Sequence, residues 1–182
     1  KDSLKVFVFE NQKSYVFPKV KSYKTGEIGG DWIAVFTELK KKEKDKQPAD
    51  TSKKVKPKVV KKTSKGNDER KPSLLTILNP ILDKKFEYNL VYDYSISRNG
   101  SLITFNSKTD DTLSLSNVQV FDYSKGEANK VFEQKGDIKN LTIDEAGKQL
   151  AFMFSADTGK VKTYDLYYWT LTSKNAEKLI SA

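Results

Sequence analysis

The chain has 182 residues, 37% of them hydrophobic and 31% charged, with 33 Lys and Arg against 24 Asp and Glu for a formal net charge of +9. It contains no histidine and no cysteine, which excludes histidine-dependent acyl-transfer triads, thiol nucleophiles, disulfides, zinc ribbons and iron–sulfur clusters. The length suits one domain, and an aromatic fraction of 12% is enough for a real core. No run approaches the roughly 18 apolar residues that a bilayer span requires, so no membrane span is expected, and the N-terminus lacks the basic-then-apolar layout of a signal peptide. Because the sequence opens on Lys1 rather than Met, a processed form or an excised piece of a longer polypeptide is expected. The lack of cysteine does not fix the compartment.

In chain order, apolar runs over 4–9 and 15–20 read as two strands and are followed by a hairpin around Gly29 and Gly30. The composition then changes abruptly. Residues 40–72 hold no aromatic residue, fourteen of the Lys and Arg and five of the acids, so this stretch alone carries +9 and the remainder balances at 19 against 19. Dense like charge with little apolar surface cannot offset the entropy of ordering, so a disordered insertion is expected. A polybasic arm for nucleic acid, heparin-like polymer or anionic lipid is the alternative. The absence of interleaved aromatics that could stack on bases speaks against nucleic acid.

Outside the insertion the sequence repeats. Shifted by 70 without a gap, Ser3-Leu4 lies over Ser73-Leu74, Phe7 over Ile77, Gly30 over Gly100, Trp32-Ile33 over Leu102-Ile103 and Val35 over Phe105. A shift of 47 brings Ile96 over Ile143, Gly100 over Gly147, Ile103 over Leu150, Phe105 over Phe152, and 117–121 over 164–168. Each copy runs from an apolar strand (91–96, 138–143) through a polar turn ending in glycine to a second strand (102–105, 150–154), a third (118–123, 166–171) and a short fourth (130–133, 177–180). The turn glycine supplies the positive φ that other residues resist. β-branched and aromatic residues dominate every apolar run, and no helical period appears. Four-stranded units of roughly 40 to 45 residues are the signature of β-propeller blades.

The expected fold is therefore all-β: a partial β-propeller of about three and a half four-stranded antiparallel blades, with a disordered basic insertion. The phase assigns 1–39 to the third and fourth strands of one blade and the first hairpin of the next, 40–72 to the Lys-rich flexible insertion between second and third strands, and 73–182 to further blades. Lengthening such a loop costs only about 0.6 kcal/mol per doubling. Open blade edges predict either oligomerisation or further blades in a longer parent.

The pattern Tyr94-Ser95-Ile96-Ser97-Arg98-Asn99-Gly100-Ser101-Leu102-Ile103-Thr104-Phe105 resembles the propeller repeats of the TolB-like and prolyl oligopeptidase families. The order Lys1-Asp2-Ser3-Leu4, Lys19-Val20-Lys21-Ser22-Tyr23, Trp32-Ile33-Ala34, the lysine-rich insertion, and Tyr164-Asp165-Leu166-Tyr167-Tyr168-Trp169 is similar to the N-terminal propeller of bacterial prolyl oligopeptidase-type serine peptidases. That resemblance implies a non-catalytic portion that gates substrate access to a separate α/β-hydrolase domain, in a periplasmic or secreted peptidase. Its partners would be that hydrolase domain or other blades, and the parent's peptide substrate. No G-x-S-x-G elbow is present, so no catalytic residue, cofactor site or metal site is assigned and this chain is not expected to be an enzyme by itself. A TolB-like scaffold for protein–protein interaction is the alternative.

Several residues invite functional readings. Tyr164, Tyr167, Tyr168 and Trp169 could stack on a sugar or peptide, but alternate residues of a blade strand pack against neighbouring sheets, and that reading is preferred. Asp110-Asp111 and Asp144-Glu145 could suggest acid–base or calcium chemistry; they fall in loops and turns without regular oxygen-ligand spacing, which favours solubility and backbone hydrogen bonding. Asn99-Gly100-Ser101 and Asn140-Leu141-Thr142 match the glycosylation sequon, which matters only in a eukaryotic secretory setting.

Overall fold

Glycine-ended turns and β-rich runs produce thirteen strands in the computed structural model, which describes residues 2–39, 71–109, 114–123 and 125–181. All but Lys71 and Pro72 of the basic insertion, and the Asp110-Asp111 pair, lie outside the described residues. A hairpin of β1 (Ser3–Phe7) and β2 (Ser14–Pro18) opens the chain. The first full blade is β3 (Val20–Thr25), β4 (Ile33–Glu38), β5 (Ser73–Asn79) and the first part of β6 (Lys84–Ile96). The rest of β6 starts the second blade, with β7 (Ile103–Lys108), β8 (Ser116–Asp122) and β9 (Glu127–Gln134). The third is β10 (Asp137–Ile143), β11 (Gln149–Ser155), β12 (Asp165–Thr170) and β13 (Glu177–Ile180). Every pairing is antiparallel between strands consecutive in sequence, giving half a blade and three whole ones.

Two blades are joined by hydrogen bonding. β6 pairs with β5 up to Val91 and with β7 from Val91 onward, so one strand is the fourth of the first blade and the first of the second. Its bend is local: Leu90 has φ 54° and a bulge falls between Val91 and Asp93. The same device recurs where the chain enters the other two inner strands, with Lys19 at φ 56° before a bulge between Val20 and Ser22, and Asn140 at φ 52° inside a bulge between Lys139 and Thr142. A bulge increases local twist and re-aims the strand, which is the change of direction needed to pass from the outside of one blade to the inside of the next.

The register corrects the repeat alignment in two places. Thr25 pairs with Ile33 and Ile96 with Ile103, so the connection over 26–32 is one residue longer than its counterpart over 97–102. Before that turn the repeat is 71, which sets Leu4 and Val6 over Leu75 and Ile77, all on one face. In the third strand, Phe121 pairs with Ile103 but Trp169 pairs with Leu150, so the shift there is 48 and Val118 and Val120 correspond to Leu166 and Tyr168. Loops absorb the extra residue because a one-residue slip inside a strand would turn its buried set to the opposite face.

Three cores lie between successive blades. Leu4, Val6, Tyr15 and Phe17 of the half-blade meet Val35 and Leu78. Trp32, Ala34, Phe36, Leu75 and Ile77 of the first blade meet Tyr94, Ile103, Phe105 and Phe121 of the second. Leu102, Val118, Val120, Val131 and Phe132 meet Leu150, Phe152, Phe154, Tyr167 and Trp169 of the third. Phe105, Phe121 and Phe152 have no exposed surface, and burying each contributes about 1.5–3 kcal/mol. The insertion is compatible with this stack because its ends are clamped: Glu38 pairs with Ser73 as the last rung of the β4–β5 ladder.

Candidate functional site

The two ends of the blades differ chemically. At one end the three glycine-ended hairpins are stitched together. Arg98 bridges Glu27 at 3.0 Å and Glu145 at 3.3 Å, the backbone N–H groups of Glu27 and Ile28 donate to the Arg98 carbonyl, and the Asn99 amide donates to the Ala146 carbonyl at 2.9 Å. Gly100, at φ 69°, packs against Gly26, Gly29 and Gly30 so closely that an added Cβ would meet the Gly29 carbonyl at 3.1 Å and the Gly30 Cα at 3.2 Å. Both halves of the Asn99-Gly100-Ser101 sequon thus serve the turn: Asn99 Oδ1 also accepts from the Ser97 and Ser101 hydroxyls. Asn140, of the other sequon, is exposed and donates to the Met153 sulfur at 3.3 Å. Asp144 accepts from the Lys148 and Gln149 backbone at 2.7 and 2.8 Å. The Asp144-Glu145 pair is therefore turn chemistry plus a surface ion pair.

At the opposite end, where the insertion leaves the sheet, lysines sit over aromatic rings beside the bulges of the inner strands. β3, the second part of β6 and β10 lie side by side as the inner edge of successive blades. Lys21 sits 5.6 Å from the Phe36 ring centre, Lys108 5.2 Å from Tyr92, and Lys139 5.1 Å from Tyr164. Lys21 and Tyr92 are the extra residues of their bulges, and Lys139 borders the third, so each pair marks the point where the chain turns onto an inner strand. A fourth pair, Lys24 over Tyr94 at 4.9 Å, lies further along β3, where Lys24 donates to the Tyr94 carbonyl and Ser22 hydrogen-bonds the Tyr94 hydroxyl.

Neighbouring carboxylates at this end are engaged. Asp137 accepts from Lys162 at 3.1 Å and from the Tyr164 hydroxyl at 2.8 Å. Burial alone would raise the Asp137 carboxyl, but those hydrogen bonds and the Lys162 and Lys139 charges outweigh it and hold it below the usual range. Asp165 pairs with Lys178 at 3.2 Å. Asp157 is lowered by the Thr163 backbone N–H and hydroxyl, which close the loop between β11 and β12.

Lys21 also donates to the Ser73 hydroxyl, a serine–lysine contact that in an open cleft would suggest catalysis, but Ser73 has no exposed surface and donates onward to the Lys71 carbonyl. The pair ties the inner strand to the start of β5. Among the described residues no group of three or more acids gathers to hold a metal. An open groove of about 310 Å³ between β9 and the β12–β13 turn is lined by Lys130, Glu133, Gln134, Tyr167 and Asn175, with Lys130 and Glu133 paired to each other at 2.6 Å.

Of the aromatic run, Tyr167 and Trp169 are buried against the second blade, while Tyr164 and Tyr168 are half-exposed. The expectation of alternate packing holds, and Tyr164 contributes to the inner edge. The lysine–aromatic pairs themselves escape sequence reading, since their residues are far apart in the chain and are brought together by bulges that leave no local signature.

No protein-family model matches the chain, and no curated protein does. Among solved structures, the chain is similar to the β-propeller domain of the Trilobed protease from Pyrococcus furiosus, described as having an open velcro topology, with a TM-score of 0.55 and 14% identity over 88% of this chain and 41% of that one. The fold is that of a β-propeller. An acylaminoacyl peptidase from Pyrococcus horikoshii aligns over 91% of this chain and 33% of its own at a TM-score of 0.46 and 12% identity. The chain spans less than half the length of the structures it matches. The expected partial propeller stands.

Proposed function

We propose that this chain is the non-catalytic propeller portion of a prolyl oligopeptidase-like serine peptidase, gating substrate access to a separate α/β-hydrolase domain. The observation that carries the reading is the structural similarity to a protease propeller over 88% of the chain. Two further features support it. The chain has neither histidine nor cysteine for nucleophilic catalysis, and its buried Ser73 cannot reach a substrate. A gating role suits the architecture because the inner strands form a wall along which a peptide in extended conformation would pass, while the blade cores resist deformation.

The test is labelling with a fluorophosphonate, which reacts with activated serines. The full natural polypeptide is expected to be labelled at a serine outside residues 1–182, and the isolated chain to remain unlabelled and without amidase activity. Labelling within the chain, or a full polypeptide that carries no labelled serine, would overturn the proposal.

A further inference from the structure

The joints between blades repeat one design. Leu75 and Ile77 of the first blade, with Phe36 and Ala34 as their cross-strand partners, meet Ile103, Phe105 and Phe121 of the second. Val118 and Val120 of the second blade, with Asn106 and Thr104 as partners, meet Leu150, Phe152 and Trp169 of the third. The third blade carries the same arrangement in Leu166 and Tyr168, which pair with Met153 and Ala151, while Ile180 lies opposite Leu166 on the outer strand. Among the described residues no core takes up these five: Ile180 is 58% exposed and the others are half-exposed.

A charge pattern runs along the same stack. Glu27, Arg98 and Glu145 hold equivalent places in the three glycine-ended turns, and Arg98 bridges the two acids at 3.0 and 3.3 Å. The sign therefore alternates from blade to blade. Glu145 has an 80% exposed side chain, and among the described residues its ion pair lies on the second-blade side. We propose that the outer face of the third blade, with Glu145 at its turn, docks a further blade of the same polypeptide, whose first turn sets a lysine or arginine against Glu145.

A blade is the occupant because this face repeats, in position and apolar character, two faces that blades already cover. A second copy of the chain fits less well. It would offer either its half-blade, which is only β1 and β2 and has no first turn, or the same face again, whose turn carries Glu145 itself. Neither brings a cation to Glu145, and like charges placed together across an interface oppose association. The inference is independent of whether the parent polypeptide hydrolyses peptides.

Met153 is the one methionine in the 182 residues and lies within the face, so its oxidation by dilute hydrogen peroxide, read by peptide mass spectrometry, reports cover. It should oxidise about tenfold more slowly in the full natural polypeptide than in the chain of 182 residues. In the full polypeptide Tyr168→Lys should remove most of that protection, and Glu145→Lys should weaken it more than Glu145→Gln does; circular dichroism confirms that each variant is folded. Replacing Tyr168 by the photo-crosslinker benzoylphenylalanine should link the face, within one molecule, to a segment outside residues 1–182 that has the strand, glycine-ended turn and strand pattern. Equal oxidation rates in the two proteins would overturn the proposal. So would a cross-link to a segment without that pattern. Protection of the 182-residue chain that rises with its concentration, or a cross-link between molecules, would overturn it in favour of a second copy. Protection indifferent to Glu145→Lys would overturn the assigned cation.

Discussion

Replacing Phe121 by alanine probes the joint between the first two blades. Phe121 lies on β8 of the second blade, has no exposed surface, and its ring lies 5.3 Å from Trp32 and 5.2 Å from Phe86 of the first blade, with Tyr123 at 5.5 Å and Tyr88 at 6.4 Å. Truncating a buried phenylalanine costs about 3–5 kcal/mol, and each lost aromatic pair adds about 0.5–1.5 kcal/mol beyond area. Part of the pair contribution is already counted in the truncation, so the expected loss is about 4 kcal/mol. With a urea m-value of about 2–3 kcal/mol/M for a domain of this size, the midpoint should fall by about 1.5 M at unchanged m. Phe121→Leu keeps most of the volume and should lose about 1–1.5 kcal/mol. The assay is urea unfolding followed by tryptophan fluorescence, since Trp32 touches the ring directly. An alanine variant within about 1 kcal/mol of the parent would refute the claim that the two blades share this core.

Three other tests follow from the same geometry. Gly100→Ala combines a left-handed backbone with two close backbone neighbours and should lose about 1–3 kcal/mol, measured by thermal unfolding, whereas Arg98→Ala, whose ion pairs are exposed, should lose less than about 1 kcal/mol. Val120→Lys, buried between the second and third blades, should cost more than about 3 kcal/mol, while Tyr168→Lys at the corresponding position of the third blade should be tolerated within about 1 kcal/mol; urea midpoints of the two variants decide it. The Asp137 carboxyl is lowered in the folded state, so its contribution is present above the unfolded value of about 3.9 and is lost as pH falls through the lower folded value. Acid unfolding of Asp137→Asn should accordingly show a shallower loss of stability below about pH 4 than the parent, and an identical acid profile would contradict the assignment.

Much of the architecture was legible because the repeat is written in residues with one structural use. Gly100 and Gly147 mark hairpins that need positive φ, both are found there at 69° and 67°, and the alternation around Ile103, Phe105, Leu150 and Phe152 marks the buried face. What the alignment missed was a single residue in two loops, since loop length leaves no mark on hydrophobic period; hydrogen-bond register alone places Tyr168 opposite Ala151 and Trp169 opposite Leu150. The continuity of β6 was also hidden. Leu90 gives no sign in the sequence that it will adopt φ 54°. The lysine–aromatic edge was illegible for a related reason: Lys108 and Tyr92, or Lys139 and Tyr164, meet only after bulges have re-aimed the inner strands. The net charge of +9 misleads if read as a property of the whole, since the repeat-built part balances.

The measurement that bears most directly on the stacked-blade structure is a set of cross-strand nuclear Overhauser contacts in the isotope-labelled chain. The structure predicts backbone contacts of Ile103 with Phe121, of Leu150 with Trp169, and of Val91 with both Ser73 and Ser107, the last pair showing one strand shared by two blades. Contacts of Leu150 with Tyr168 as its direct partner, or a Val91 that reaches only one of its two partners, would contradict it.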